Sequence, residues 1–169
     1  MTNEKQKSII AVLYIFMIVS TVLSFAPNMM AQTLSLPLML VTLAAAYYYK
    51  SRSSEEDLLQ NHMVYMVGTI WIGSTFLLLG MMAAGYIVFK YGDHSPVQAT
   101  MDSIMGGGDL NAGSLQDLMM EYMSTNKVLL IKASLPTIGP AILYFVYRIV
   151  NGYGRAAKGY RIAKPKSWL

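Results

Sequence analysis

The chain has 169 residues and a formal charge of +4; 54% of its residues are hydrophobic and 13% charged, against roughly 25% charged in soluble domains. That balance disfavours a water-soluble globule, and the lack of cysteine removes disulfide frameworks, thiol nucleophiles and thiolate metal sites together. The expected fold is all-α: a four-helix transmembrane bundle with two short amphipathic helices in its outer loop.

Between Lys7 and Lys50 lie 42 uncharged residues, and between Asp57 and Lys90 another 32. A hydrocarbon core about 30 Å thick needs about 20 apolar residues as helix, so the first run holds two passes if a turn divides it. Pro27-Asn28 and Gln32-Thr33, with Pro37 soon after, mark that turn. The predicted spans are residues 8–26, 33–49, 63–89 and 128–150. At about 1.5 Å per residue the third extends about 40 Å and must tilt or project. None alternates apolar with polar positions, which argues against barrel strands. Lys5 and Lys7 before an apolar run ending Ser24-Phe25-Ala26 outline a cleaved signal, but the run is long for one and Pro27 follows the cut, so the first span is read as an anchor. Residues 1–152 form the four-pass domain, with an outer loop over 91–126, and residues 153–169 a basic cytoplasmic tail.

Four passes put both termini on one side. That side carries ten of the 13 Lys and Arg residues, and the other carries Lys90, Lys127 and Lys132, so the positive-inside rule places both termini in the cytoplasm. With acids included the two sides hold +6 and −2. Tyr47, Tyr48 and Tyr49 next to Lys50 fit an interfacial belt.

In the outer loop, Ser95-Pro96 predicts a helix start, with Val97, Met101, Ile104 and Met105 on one face until Gly106-Gly107-Gly108. Ser114 with Asp117 resembles a capping box, and Leu115, Leu118, Met119, Tyr122 and Met123 form a second apolar face. Such helices cover their own ends, lie on the membrane or dock a partner. The five loop methionines have helical spacing and lack the clustered His expected of a copper(I) site, so no metal or other cofactor is expected. A calcium loop from Asp109 fails because Ser114 and Met120 stand where Gly and Glu are required.

Lys132 is read as the one ionisable group inside a span. It either snorkels to the interface or lines a candidate cavity with Pro136, Gly139 and Pro140. His62 is read as an interface residue at the mouth of the third helix. Thr69, Gly73, Gly80 and Ala84 form a helix-packing face for the first or last helix of the same chain, or for a second copy. Arg155, Lys158, Arg161, Lys164 and Lys166 in the tail are expected to contact anionic lipid headgroups. So short a tail offers nucleic acid no folded platform, and none is expected as a partner. No GxSxG, HExxH or P-loop is present, and no catalytic residues are predicted.

Asn61-His62, Tyr65, Thr69 and Trp71, with Tyr147-Arg148-Ile149-Val150-Asn151-Gly152, Lys158-Gly159 and Pro165-Lys166-Ser167-Trp168-Leu169, resemble small bacterial inner-membrane proteins of the Tic20-like, domain-of-unknown-function type. The resemblance covers about half the chain. The chain departs from that pattern in its methionine-rich loop and at Met66, where glutamine is expected. The resemblance implies a compact four-helix membrane fold and no established activity; distant plastid relatives act in protein import, an analogy of fold only. The expected function is a non-enzymatic accessory or assembly subunit of a bacterial inner-membrane complex, in contact with a membrane-protein partner or a second copy. The alternatives are a small channel or carrier using the cavity near Lys132, and an immunity-type membrane protein.

Overall fold

The computed structural model describes residues 2–24, 26, 29–107 and 111–167. Six helices follow in chain order: α1 (Asn3–Ser24), α2 (Met29–Arg52), α3 (Leu58–Tyr91), α4 (Ser95–Met105), α5 (Ala112–Thr125) and α6 (Lys127–Ala157). Among the described residues there is no strand. α1, α2, α3 and α6 are long and apolar enough to cross a membrane, as the charge-free runs require. The protein is therefore an all-α, multi-pass membrane protein.

The helices are longer than the apolar runs alone suggest. α2 begins at Met29 and carries Gln32, Thr33 and Pro37, expected at the turn, inside the helix. Polar side chains are tolerated there because they bond the chain itself: the Gln32 amide donates to the Ala26 carbonyl at 3.0 Å. The Pro27-Asn28 turn and Phe25 lie outside the described residues. α6 runs seven residues past Val150, taking in the first part of the predicted tail.

Two compact units divide the chain, Met1–Thr75 with Ile142–Leu169, and Phe76–Ala141. In the first, α1 and α2 pack along each other, and the buried Ser20 hydroxyl donates to the Ser35 carbonyl across that contact at 2.7 Å. The core repeats at helical spacing: Ile10, Tyr14 and Met17 from α1, Leu59, Met63, Met66 and Ile70 from α3, Phe145 and Ile149 from α6. At the end of α2, Lys50 and Arg52 lie over the Tyr47 and Tyr48 rings, and the Tyr47 hydroxyl accepts from the Trp71 indole at 2.8 Å.

In the second unit α4 and α5 pack on each other. α4 starts at Ser95 with Pro96 in its first turn and stops at Gly106, after which Gly107 takes a positive φ of 94°. Gly108 and Asp109 lie outside the described residues. The cap of α5 lies three residues before the predicted one: the Asn111 side chain accepts from the Ser114 amide at 3.0 Å, and the Ser114 hydroxyl accepts from the Asn111 amide at 2.9 Å. Asparagine is among the strongest N-caps, and this reciprocal pair satisfies two end donors that Ser114 with Asp117 would have left to water.

Before α4 the Asp93 carboxylate accepts from the Ser95 amide at 2.9 Å. Bonds from Ser95 hold that carboxyl below the usual aspartate range. A depressed folded value adds stability that is present above the unfolded pKa and disappears as pH falls through the folded one. Followed by NMR in micelles, the Ser95 amide signal should therefore titrate with a midpoint below 3.8. A midpoint at or above that value contradicts the turn.

Candidate functional site

In the first unit, the opening turns of α3 set Asn61, His62, Tyr65 and Thr69 on one buried face. α1 contributes Tyr14 and α6 contributes Arg148. α6 ends in a glycine-terminated cap, with the Gly159 amide on the Ala156 carbonyl and the Tyr160 amide on the Arg155 carbonyl, both at 2.9 Å. Gly159 holds a φ of 72°, which an L side chain rarely adopts. This reversal carries residues 160–167 back over the start of α3 as a strap.

Three polar groups fasten the strap. Asn61 clasps the Ile162 backbone from both sides, donating to its carbonyl at 3.0 Å and accepting from its amide at 2.7 Å. His62 Nε2 lies 3.0 Å from the Tyr160 carbonyl. A carbonyl only accepts, so Nε2 carries the proton, and in the neutral ring Nδ1 accepts from the Tyr14 hydroxyl at 3.2 Å. Arg148 Nη1 donates to the Ser167 carbonyl at 2.6 Å. Ile162 then sits in the core, 6% exposed.

Among the described residues Arg148 is the largest fully buried side chain. Its Nε donates to the Thr69 hydroxyl at 3.1 Å, Nη2 reaches the Tyr65 carbonyl at 3.5 Å, and the guanidinium lies 3.8 Å from the Tyr65 ring centroid. Among the described residues no carboxylate pairs with it. Carbonyl dipoles and the negative face of an aromatic ring solvate this cation in place of a counter-ion. Close packing supports the cluster: a Cβ at Gly152 would meet the Tyr14 ring carbons at 2.7 and 2.9 Å.

These positions correct two expectations. His62 is fully buried rather than an interface residue, and Arg148 is a buried ionisable group where Lys132 is exposed. Of the candidate cavity residues, Lys132, Pro136 and Pro140 are exposed on α6 and Gly139 is half-buried. Position along a helix gives depth; the face is set by packing, and α6 stays helical through both prolines with Lys132 on its open side.

The small-residue stripe lies against the chain's own α6 in each unit. In the first, Thr69 bonds Arg148, and a Cβ at Gly73 would meet the Phe145 ring, with Cζ at 2.6 Å. In the second, a Cβ at Gly80 would meet the Thr137 carbonyl group, and Ala84 is buried. Comparison with family models, curated proteins and solved structures finds no match for this chain.

The second unit repeats the chemistry of the strap. Asn126, buried, accepts from the Asp93 amide at 2.7 Å and donates to its carbonyl at 3.0 Å. His94 Nε2 donates to the Phe89 carbonyl at 2.9 Å while Nδ1 lies 3.3 Å from the Tyr122 hydroxyl. Both histidines of the chain thus join a tyrosine hydroxyl to a backbone carbonyl. Above this clasp lies an open apolar recess of about 770 Å³ lined by Phe89, Val97, Met119, Tyr122 and Met123 among others. Of the tail residues, Arg155, Lys158, Arg161, Lys164 and Lys166 are all exposed. Two of them also hold backbone, Arg155 bonding the Arg161 carbonyl at 3.3 Å and Arg161 the Glu55 carbonyl at 2.8 Å. Trp168 lies outside the described residues.

Proposed function

We propose that this chain is a non-enzymatic accessory or assembly subunit of a membrane complex, in the bacterial inner membrane with both termini in the cytoplasm. The orientation rests on the ten-to-three division of basic residues. The non-enzymatic reading is supported by how the buried polar groups are used: His62, Asn61 and Arg148 bond the chain's own carbonyls. The Tic20-like resemblance is a proposal on the same footing; Asn61, His62, Tyr65, Thr69, Arg148 and Ser167, which carry it, converge on one cluster.

The observation that carries the subunit reading is the open apolar surface of α4 and α5. Met101, Met105, Met119, Met120 and Met123 are each more than half exposed, and the 770 Å³ recess adjoins them. Methionine adapts its shape to a partner, and apolar patches of this kind mark contact surfaces. The occupant we expect is the apolar surface of a second membrane protein, because the small-residue stripe of α3 is already covered by α6.

The test compares wild type with Met105→Asp and Met119→Asp in native membranes solubilised in mild detergent. Wild type should migrate in a discrete complex on a native gel, and each variant as the isolated chain while still sedimenting with membranes. An unchanged complex in both variants, or a wild type that runs alone, sinks the proposal.

A further inference from the structure

We infer that the first unit binds one anionic phospholipid, its phosphate held by Arg155 and Lys158 and one acyl chain laid between α1 and α6. Two recesses meet at this place and share Val150 and Gly154. The first, about 390 Å³, is apolar and is lined by Ile18 and Val22 of α1 and by Val146, Val150 and Tyr153 of α6. The second, about 400 Å³, is lined by Asn151, Arg155, Lys158 and Tyr160, where α6 passes into the strap. A greasy slot opening into a basic mouth is the shape of a single lipid.

The dimensions agree. From Val146 to Lys158 α6 rises about 18 Å, close to the roughly 15 Å depth of one leaflet's hydrocarbon plus the start of the headgroup layer. The slot lies along α1 and α6, two helices able to cross a membrane, with its basic end at the C-terminal end of α6 and its apolar end along the last turns of α1.

Charge selects the lipid. Among the described residues no carboxylate pairs with Arg155 or Lys158, and no acid lines the mouth. Lys158 makes no hydrogen bond to the rest of the described chain, which leaves its ammonium for a ligand. A zwitterionic headgroup leaves these cations unbalanced and an anionic one does not. A soluble anion gains nothing from the slot.

This inference needs the chain to span a bilayer but not to have a protein partner, so it stands or falls apart from the gel assay above. The test is native mass spectrometry of the purified protein in detergent, titrated with phosphatidylglycerol, with phosphatidylcholine of the same chains, or with inorganic phosphate. Wild type should retain one phosphatidylglycerol at least tenfold more tightly than phosphatidylcholine, and millimolar phosphate should not displace it. Lys158→Glu removes one cation and adds one anion; at about fivefold per charge near a membrane surface it should weaken phosphatidylglycerol about 30-fold. Val22→Trp, at an exposed position distant from both cations, should fill the slot and reduce phosphatidylglycerol binding with the mouth intact. Equal binding of the two lipids, displacement by phosphate, or undiminished affinity in either variant overturns the inference.

Discussion

Replacing Arg148 with methionine should release the strap while the helices stay folded. Two effects oppose each other at this site. Methionine removes a fully buried cation that no described carboxylate neutralises, and an apolar residue of similar length often matches or exceeds a buried charge in stability. It also removes the donor to the Ser167 carbonyl, a charge-assisted bond of 2.6 Å, and such bonds contribute about 1.5–3 kcal/mol. The first effect falls on the core between α3 and α6. The second falls on the strap, which can leave and find water. The strap therefore loses most: amide protection over residues 160–167 should fall roughly 10- to 100-fold by hydrogen exchange, and trypsin should cut sooner at Arg161 and Lys166. Arg148→Lys should not rescue it, because an ammonium cannot bond Thr69 and Ser167 at once while stacking on Tyr65. If Arg148→Met leaves the protection of residues 160–167 unchanged, Asn61 and His62 alone hold the strap and Arg148 has another role.

The spans were legible because hydrocarbon admits no free charge over its depth, and two long charge-free runs are visible without knowing what touches what. The stop of α4 was legible for a similarly local reason, since a glycine pair ends a helix wherever it stands. Arg148 was not. In a count of charges it belongs with the basic residues that follow it, and nothing local distinguishes it from Arg155 one turn pair later. The available signal was its face: Ala141, Phe145, Arg148 and Gly152 recur at helical spacing on the side of α6 that is buried, whereas Lys132 falls on an open side. The strap was hidden for a different reason. It depends on Asn61 meeting Ile162, a pairing across 101 positions for which periodicity carries no information. The resemblance pointed at those same stretches without saying that they touch.

Gly80→Leu should destabilise the second unit itself rather than detach a partner. On sequence alone the α3 stripe could serve another copy, and bulk at Gly80 would then break a complex and leave the monomer sound. In the structure an added Cβ meets the Thr137 carbonyl oxygen, with the carbonyl carbon at 3.0 Å and the Ile138 Cα at 3.3 Å. These are backbone atoms of α6 and cannot swing aside as a side-chain tip can, so the helices must part. Overpacking of this kind costs about 1–3 kcal/mol, and parting α3 from α6 adds the loss of contacts around Ala84 and Ala133, both buried. Even Gly80→Ala should lower the unfolding temperature in detergent. Gly85, five residues on, is the internal control, because a Cβ there meets nothing within 4 Å. Gly85→Ala should be neutral or stabilising, since glycine inside a helix is about 0.5–1 kcal/mol worse than alanine. Thermal unfolding of the two alanine variants side by side separates the readings. Equal midpoints would show that α3 and α6 do not approach at Gly80, and a stable Gly80→Leu monomer that had lost only its complex would return the stripe to a partner.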